Sequence, residues 1–447
     1  MSKKVKFIFP VTLFLFSAIQ LFLIKSGLFQ IGVFFYLIYA QVLFSIDKKY
    51  IIALFVFHLP LLPYIPSDFK LFSVLGPHEI IYGYSFFYLN NLSKTTKVKL
   101  NEFQKLSIKF VYLFFFIKVY IIVKDNILGL DASNAGNVLN IVKKFFRYFL
   151  YFSSLVLLIK FIYLKDIYKY VFDGMKYSVV VLVLSMVFTV PLILMGANIK
   201  DKEMYFIAVA LRERYMGFYG SGGDQNSAGI FLTSFFGFLL ALYEKTGKIK
   251  NYIIFMGFAV LGILLTGSRT SFMALAIIIL LFLITNKSGK DKFLILIACV
   301  IFYFLFAKQL DLVIQRFLDP SAANAIDPND TGRVGKWILY TNWIIEHPET
   351  LLIGNLTNIP FRLAPHNYFI YIIYHIGIIP FLIFIKLFIK LLKKIKFKMG
   401  HNSIKSVYYI LPFILAMMTV NSHGSSIYLW LYLPIGAYFL SDKMLKY

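Results

Sequence analysis

The sequence predicts an all-α polytopic membrane protein of about 14 transmembrane helices (12 to 14). Three observations predict it. Of 447 residues, 60% are hydrophobic, 19% aromatic and only 15% charged, with a mean hydropathy of +0.76, whereas a soluble globule carries about 25% charged residues. Apolar runs close to the roughly 20 residues needed to cross a bilayer recur along the whole chain. Lysines gather in alternate connections, the pattern expected of cytoplasmic loops.

The opening MSKKVKFIFPVTLFLFSAIQ has a basic start and an apolar run but no small-residue cleavage site, so it reads as a retained first helix near 7–24. With a cytoplasmic N-terminus, helices follow near 28–46, 50–63 and, beyond an external turn, 71–92. The lysine-rich connection 93–109 is then cytoplasmic. A helix near 109–123 leads to an external loop over 124–144, and a helix near 145–164 returns to an inner turn at 165–176. Helix 177–196 opens onto the external segment 198–226, with Arg212, Arg214 and the run Gly-Ser-Gly-Gly-Asp. Asn226 is placed to cap helix 227–243. Helices near 252–266 and 272–286 are joined by an external turn, Gly267 to Ser271, and a helix near 293–307 follows.

The largest external connection, 308–366, comes next, before the twelfth helix at 367–386. It carries a helix of its own, with Asp330 or Thr331 as N-cap, Arg333 in the first turn, Trp337, Ile338, Ile344 and Ile345 near one face, and a stop at Pro348. After the basic stretch 386–405, helices near 406–420 and 426–440 place both termini in the cytoplasm. Residues 1–447 form a single membrane domain without an internal repeat.

The formal charge of +25 does not imply nucleic acid, because its lysines follow the topology. All seven arginines, Arg147, Arg212, Arg214, Arg269, Arg316, Arg333 and Arg362, fall instead on the external side. Guanidinium presents a planar fork of donors suited to phosphate oxygens. Arg269 and Arg333 each begin a helix, and Arg212 with Arg214 precedes the Asn226 cap; free N–H groups at helix starts add to such an anion site. The bland reading pairs arginines with lipid headgroups or with Asp201, Glu203 or Glu213. His366, directly before an apolar helix, is the candidate general base, since an imidazole titrates near neutrality. Asn367 is placed to orient it or the substrate. His375 reads as a packing or pore-facing residue, and His347 as the end of the loop helix.

No HxxxH or HExxH pattern points to a metal, and Asp319, Asp327 and Asp330 read as an ordinary acidic loop. No Walker A, dinucleotide or DxD motif points to a nucleotide. No cofactor is expected. Cys299, the lone cysteine, reads as a small buried packing residue.

Three pieces in series resemble the O-antigen polymerase and O-antigen ligase superfamily of bacterial membrane glycosyltransferases. They are RYMGFYGSGGDQNSAG (214–229), LTGSRTS (265–271), and Thr331-Gly332-Arg333 followed by Trp337, His347-Pro348, Gly354 and His366-Asn367 before a helix ending in Gly377. The resemblance covers about 201–386; the first 200 residues match only in hydropathy. It implies a GT-C-like, metal-independent enzyme of the bacterial cytoplasmic (inner) membrane. That enzyme takes a glycan from an undecaprenyl-pyrophosphate-linked oligosaccharide donor on the periplasmic or extracellular face. His366, Arg269 and Arg333 would be catalytic. Arg212, Arg214, Asn226, Arg362 and Asn367 would bind substrate, with Arg214 among the residues on the pyrophosphate. The acceptor would be a second lipid-linked repeat unit for a polymerase of O-antigen, capsule or exopolysaccharide, or a lipid A core for a ligase. A chain-length regulator protein is a partner implied by the family alone. A lipid-linked oligosaccharide flippase fits the span count too, but has no need of the long 308–366 connection.

Overall fold

The computed structural model describes residues 29–59, 77–127, 138–194, 225–247, 252–286, 288–297, 333–355, 367–398 and 404–419, with isolated positions between 299 and 307. Among these the chain is helical throughout and contains no strand. The helices are α1 (Phe29–Ile46), α2 (Tyr50–His58), α3 (Pro77–Thr95), α4 (Glu102–Ile127), α5 (Val138–Phe161), α6 (Lys165–Leu194), α7 (Gln225–Thr246), α8 (Ile253–Thr266) and α9 (Arg269–Thr285). A helical stretch over 289–297 follows. The last five are α10 (Arg333–Glu346), α11 (Thr350–Ile353), α12 (Tyr368–Ile376), α13 (Ile378–Lys398) and α14 (Ile404–Thr419). Among the described residues one segment, Glu102–Lys124, is by itself long and apolar enough to cross a bilayer; Ile253–Thr266 and Arg269–Thr285 are apolar but shorter.

Three packing centres hold the helices together. Every residue of α2 is buried; it lies against α6, where Gly174 leaves only 2.5 Å between its missing Cβ and the Ala53 carbonyl oxygen, and against α3 through Phe55 and Tyr82. α7 sits among α8, α9 and α14. At Gly237 a Cβ would stand 2.7 Å from the Tyr408 carbonyl carbon, so a small residue sets how closely α7 and α14 cross. α4 packs on α5 and α13, with Phe110 stacked on Phe384 and Phe388. The outer faces are apolar as well: Phe34, Phe87, Phe116, Ile284 and Phe304 are more than half exposed. Helices apolar around their whole circumference suit a lipid surround.

Several boundaries differ from the sequence expectation. α4 starts at Glu102 instead of 109, because Asn101 and Gln104 form a reciprocal capping box: the Gln104 amide donates to Asn101 Oδ1 and the Asn101 amide to Gln104 Oε1, both at 2.9 Å. Gln104 Nε2 also donates to the Ile159 and Lys160 carbonyls, satisfying the end of α5. α5 begins at Val138, well before 145. The inner turn expected over 165–176 is instead the first part of α6, where Lys176 pairs with Asp173 at 2.7 Å and lies over the Phe172 ring. The expected helix 367–386 is broken at Gly377, whose φ of +88 no helix accommodates. Cys299 is exposed, on a stretch whose neighbour Val300 also faces outward.

Candidate functional site

Two of the three sequence pieces meet at the starts of α7 and α9. Gly267, at φ +58, closes α8 with its amide on the Leu264 carbonyl. Ser268 is extended and caps α9, its Oγ accepting from the Ser271 amide at 3.4 Å and from Ser271 Oγ at 3.0 Å. Arg269 is therefore the first residue of α9, as expected from Gly-Ser before it, and the helix starts three residues ahead of the expected 272. Ser268, Thr270 and Ser271 are buried while Arg269 is exposed.

Against this turn lies α7. A Cβ at Gly229 would stand 2.9 Å from Ser271 Cβ, and Thr233 Oγ1 donates to Gly229 O at 2.8 Å and Ser271 O at 3.4 Å. At the far ends of the same helices, the Tyr408 hydroxyl reaches Thr285 Oγ1 at 2.7 Å and Glu244 Oε1 at 3.4 Å. Starts meeting starts and ends meeting ends make α7 and α9 parallel. Two positive helix termini thus lie side by side with Arg269. Asn226 falls inside the first turn of α7, which begins at Gln225, not at the cap position expected for it.

The third piece forms a separate crossing. α10 begins at Arg333, as expected, and ends at Glu346; His347 follows it, its ring tilted against that of Trp343 at 4.1 Å between centroids and its Nδ1 3.3 Å from Glu349. Its packing face differs from the expected one: Ile345 is 69% exposed, while Tyr340 is buried against Tyr374 at 4.7 Å between ring centroids. Asn367 caps α12, its Oδ1 accepting from the Phe369 and Ile370 amides at 3.0 and 3.3 Å. That oxygen is committed to backbone, so Asn367 acts first as the residue that starts the helix behind His366. His375 packs at 4.2 Å on Tyr371 and is buried.

Behind α12 two chain breaks press together. Gly354 (φ +80) and Gly377 (φ +88) face each other's segments: a Cβ on the first would lie 2.7 Å from the Ile376 amide nitrogen, and on the second 2.6 Å from the Leu352 carbonyl carbon. The Asn355 amide donates to the Tyr374 carbonyl, and Asn355 Nδ2 to the Tyr374 hydroxyl, both at 2.6 Å. Lys124, from the end of α4 and buried, donates to the Asn355 and His375 carbonyls at 2.8 Å each. Sequence reasoning placed Lys124 at the edge of a loop and missed Asn355. The one available signal was a lone lysine closing a long apolar run. Replacing Lys124 with methionine keeps the length but leaves two buried carbonyls without these donors, each costing about 1–3 kcal/mol. The expected outcome is a loss of about 2–4 kcal/mol in detergent unfolding, with faster proteolysis between α11 and α12.

α14 packs on α7, α9 and α12, and so links the two groups. Arg147, expected external and available for anions or for pairing with Asp201, Glu203 or Glu213, is paired with Glu79 of α3 at 2.6 Å. His366, Arg212, Arg214, Arg316 and Arg362 lie outside the described residues, as do the Asp330 or Thr331 cap and Asp201, Glu203 and Glu213; of Arg333 and Asn226 only the backbone is described. Among the described residues no three His, Cys, Asp or Glu side chains converge on one point. Comparison with protein-family models, curated proteins and solved structures returns no match.

Proposed function

We propose that this chain is a polytopic glycosyltransferase of the bacterial cytoplasmic membrane, of about 14 spans with both termini inside. It polymerises lipid-linked oligosaccharide repeats of O-antigen, capsule or exopolysaccharide at the external face. The observation that carries this reading is the pairing of the α7 and α9 starts beside exposed Arg269. Parallel helix termini and a guanidinium suit a pyrophosphate, and charge accumulates on that group as the glycosidic bond breaks. Arg214 and Arg333 complete the phosphate contacts. Arg212, Arg362 and Asn226 bind the sugars, and His366, the residue before the Asn367 cap in sequence, takes the proton of the acceptor hydroxyl. The donor's bond energy drives the transfer without metal or nucleotide.

The test is turnover of an undecaprenyl-pyrophosphate-linked repeat by the purified protein. A ladder of longer glycans, absent in a folded His366→Ala variant, is the expected outcome. Transfer to a lipid A core without extension replaces polymerase by ligase. Inertness with both acceptors, accompanied by movement of the lipid-linked substrate across a bilayer, replaces the enzyme by a flippase.

A further inference from the structure

A groove of about 790 Å³ runs along α3, and none of its lining residues belongs to α7 or α9. Its floor is one face of that helix, Ile80, Gly83, Phe87, Asn91 and Thr95, recurring every three or four residues; α1 and α5 supply the walls through Phe44 and Phe146. From Glu79 to Thr95 the helix extends about 24 Å at its usual rise, most of the hydrocarbon thickness of a bilayer, about 30 Å.

The two ends differ in charge. At one end Glu79, the one carboxylate lining the groove, is held by Arg147 at 2.6 Å. At the other stands Lys48. Ser85 Oγ reaches the Ile51 carbonyl while Phe55 meets Tyr82 edge-on, so α2 and α3 are antiparallel and the turn at 47–49 lies toward Thr95. Lys48 is exposed there beside Asn91 and Thr95. The neighbouring Asp47 is engaged by the Tyr170 hydroxyl and the Lys49 amide.

We infer that this groove holds one acyl chain of an anionic phospholipid, with its phosphate at Lys48 and Asn91. A flexible hydrocarbon chain fits the apolar length, and an anionic headgroup fits an end lined by the Lys48 ammonium and the Asn91 amide; the Thr95 hydroxyl there donates to the Asn91 and Leu92 carbonyls of its own helix. The inference needs the membrane residence proposed above and is independent of the glycan chemistry.

Gly83 supplies the test, because a Cβ there meets no atom within 4 Å. Gly83→Phe therefore starts a ring from open space at the middle of the groove floor, where it competes with an occupant. Full-length protein is equilibrated in mixed micelles of phosphatidylglycerol and phosphatidylcholine, and retained lipid is read by native mass spectrometry. The expected result is one retained phospholipid, with phosphatidylglycerol preferred about fivefold, as one lysine at an anionic headgroup provides. Lys48→Gln removes the preference and keeps the lipid; Gly83→Phe removes the lipid.

A photoreactive benzoyl group at exposed Phe87 gives a second reading in otherwise native protein, and cross-linking to phospholipid is expected. Unchanged lipid retention in folded Gly83→Phe, a preference that survives Lys48→Gln, or cross-links only to polyprenyl phosphate or to protein would each overturn the assignment. A chain recovered in the soluble fraction overturns membrane residence and the groove's occupant together. Selective phosphatidylglycerol retention by a protein without glycan activity removes the enzymatic reading and supports this one.

Discussion

Purified Arg269→Ala is expected to lose extension of lipid-linked glycan by about 100-fold or more, the usual loss when a donor aimed at developing transition-state charge is removed. The fold is expected to stay intact. Arg269 is exposed at the first position of α9, and Ser268, Ser271 and Gly229 pack together inside the turn. Arg269→Lys is expected to recover only part of the rate, because an ammonium keeps the charge but not the bidentate fork. A folded Arg269→Ala enzyme with near-native turnover would remove the pyrophosphate from this end of the helices. A change confined to KM would make Arg269 a binding residue, without a special role in the transition state.

Gly354→Ala is expected to have the largest effect on stability. At φ +80 an L-residue is strained by about 1–2 kcal/mol. The atoms a Cβ would meet, the His375 carbonyl and the Ile376 amide, are backbone and cannot rotate away. Together these give an expected loss of about 3 kcal/mol or more, in the range of substitutions with a named steric cause. Gly377→Ala meets the same difficulty from the other side, at Leu352 and Ile353. Gly257 of α8 is the internal control. A Cβ there meets nothing within 4 Å, so Gly257→Ala is expected to be neutral or slightly stabilising in a helix. Chemical unfolding in detergent compares the variants, and equal stability of Gly354→Ala and Gly257→Ala would show that the two breaks are not in close contact. Because this crossing backs α12, its loosening is also expected to lower glycan extension.

What the sequence determined by itself is local. Composition called for helices apolar on every side, and the described residues are helical. The Gly267-Ser268 pair predicted a stop and a start, and Arg269 opens α9 as expected; Arg333 opens α10 in the same way. These outcomes depend on backbone conformation and hydrogen bonds within about four residues, which adjacent letters encode. The Asn101–Gln104 capping box was equally local and readable, but the lysines around it directed the reading toward a loop.

Tertiary structure alone decided which elements meet. Nothing in the chain's order pairs Gly229 with Ser271, Glu79 with Arg147, or Lys124 with two carbonyls more than two hundred residues away. In an amphipathic helix the apolar stripe announces the buried face. On α10 the apolar residues spread wider than one stripe, so periodicity cannot say that Ile345 points out and Tyr340 in. The choice falls to small residues that let backbones approach and to buried polar groups that must find partners. Both are satisfied only by neighbours that come from elsewhere in the chain.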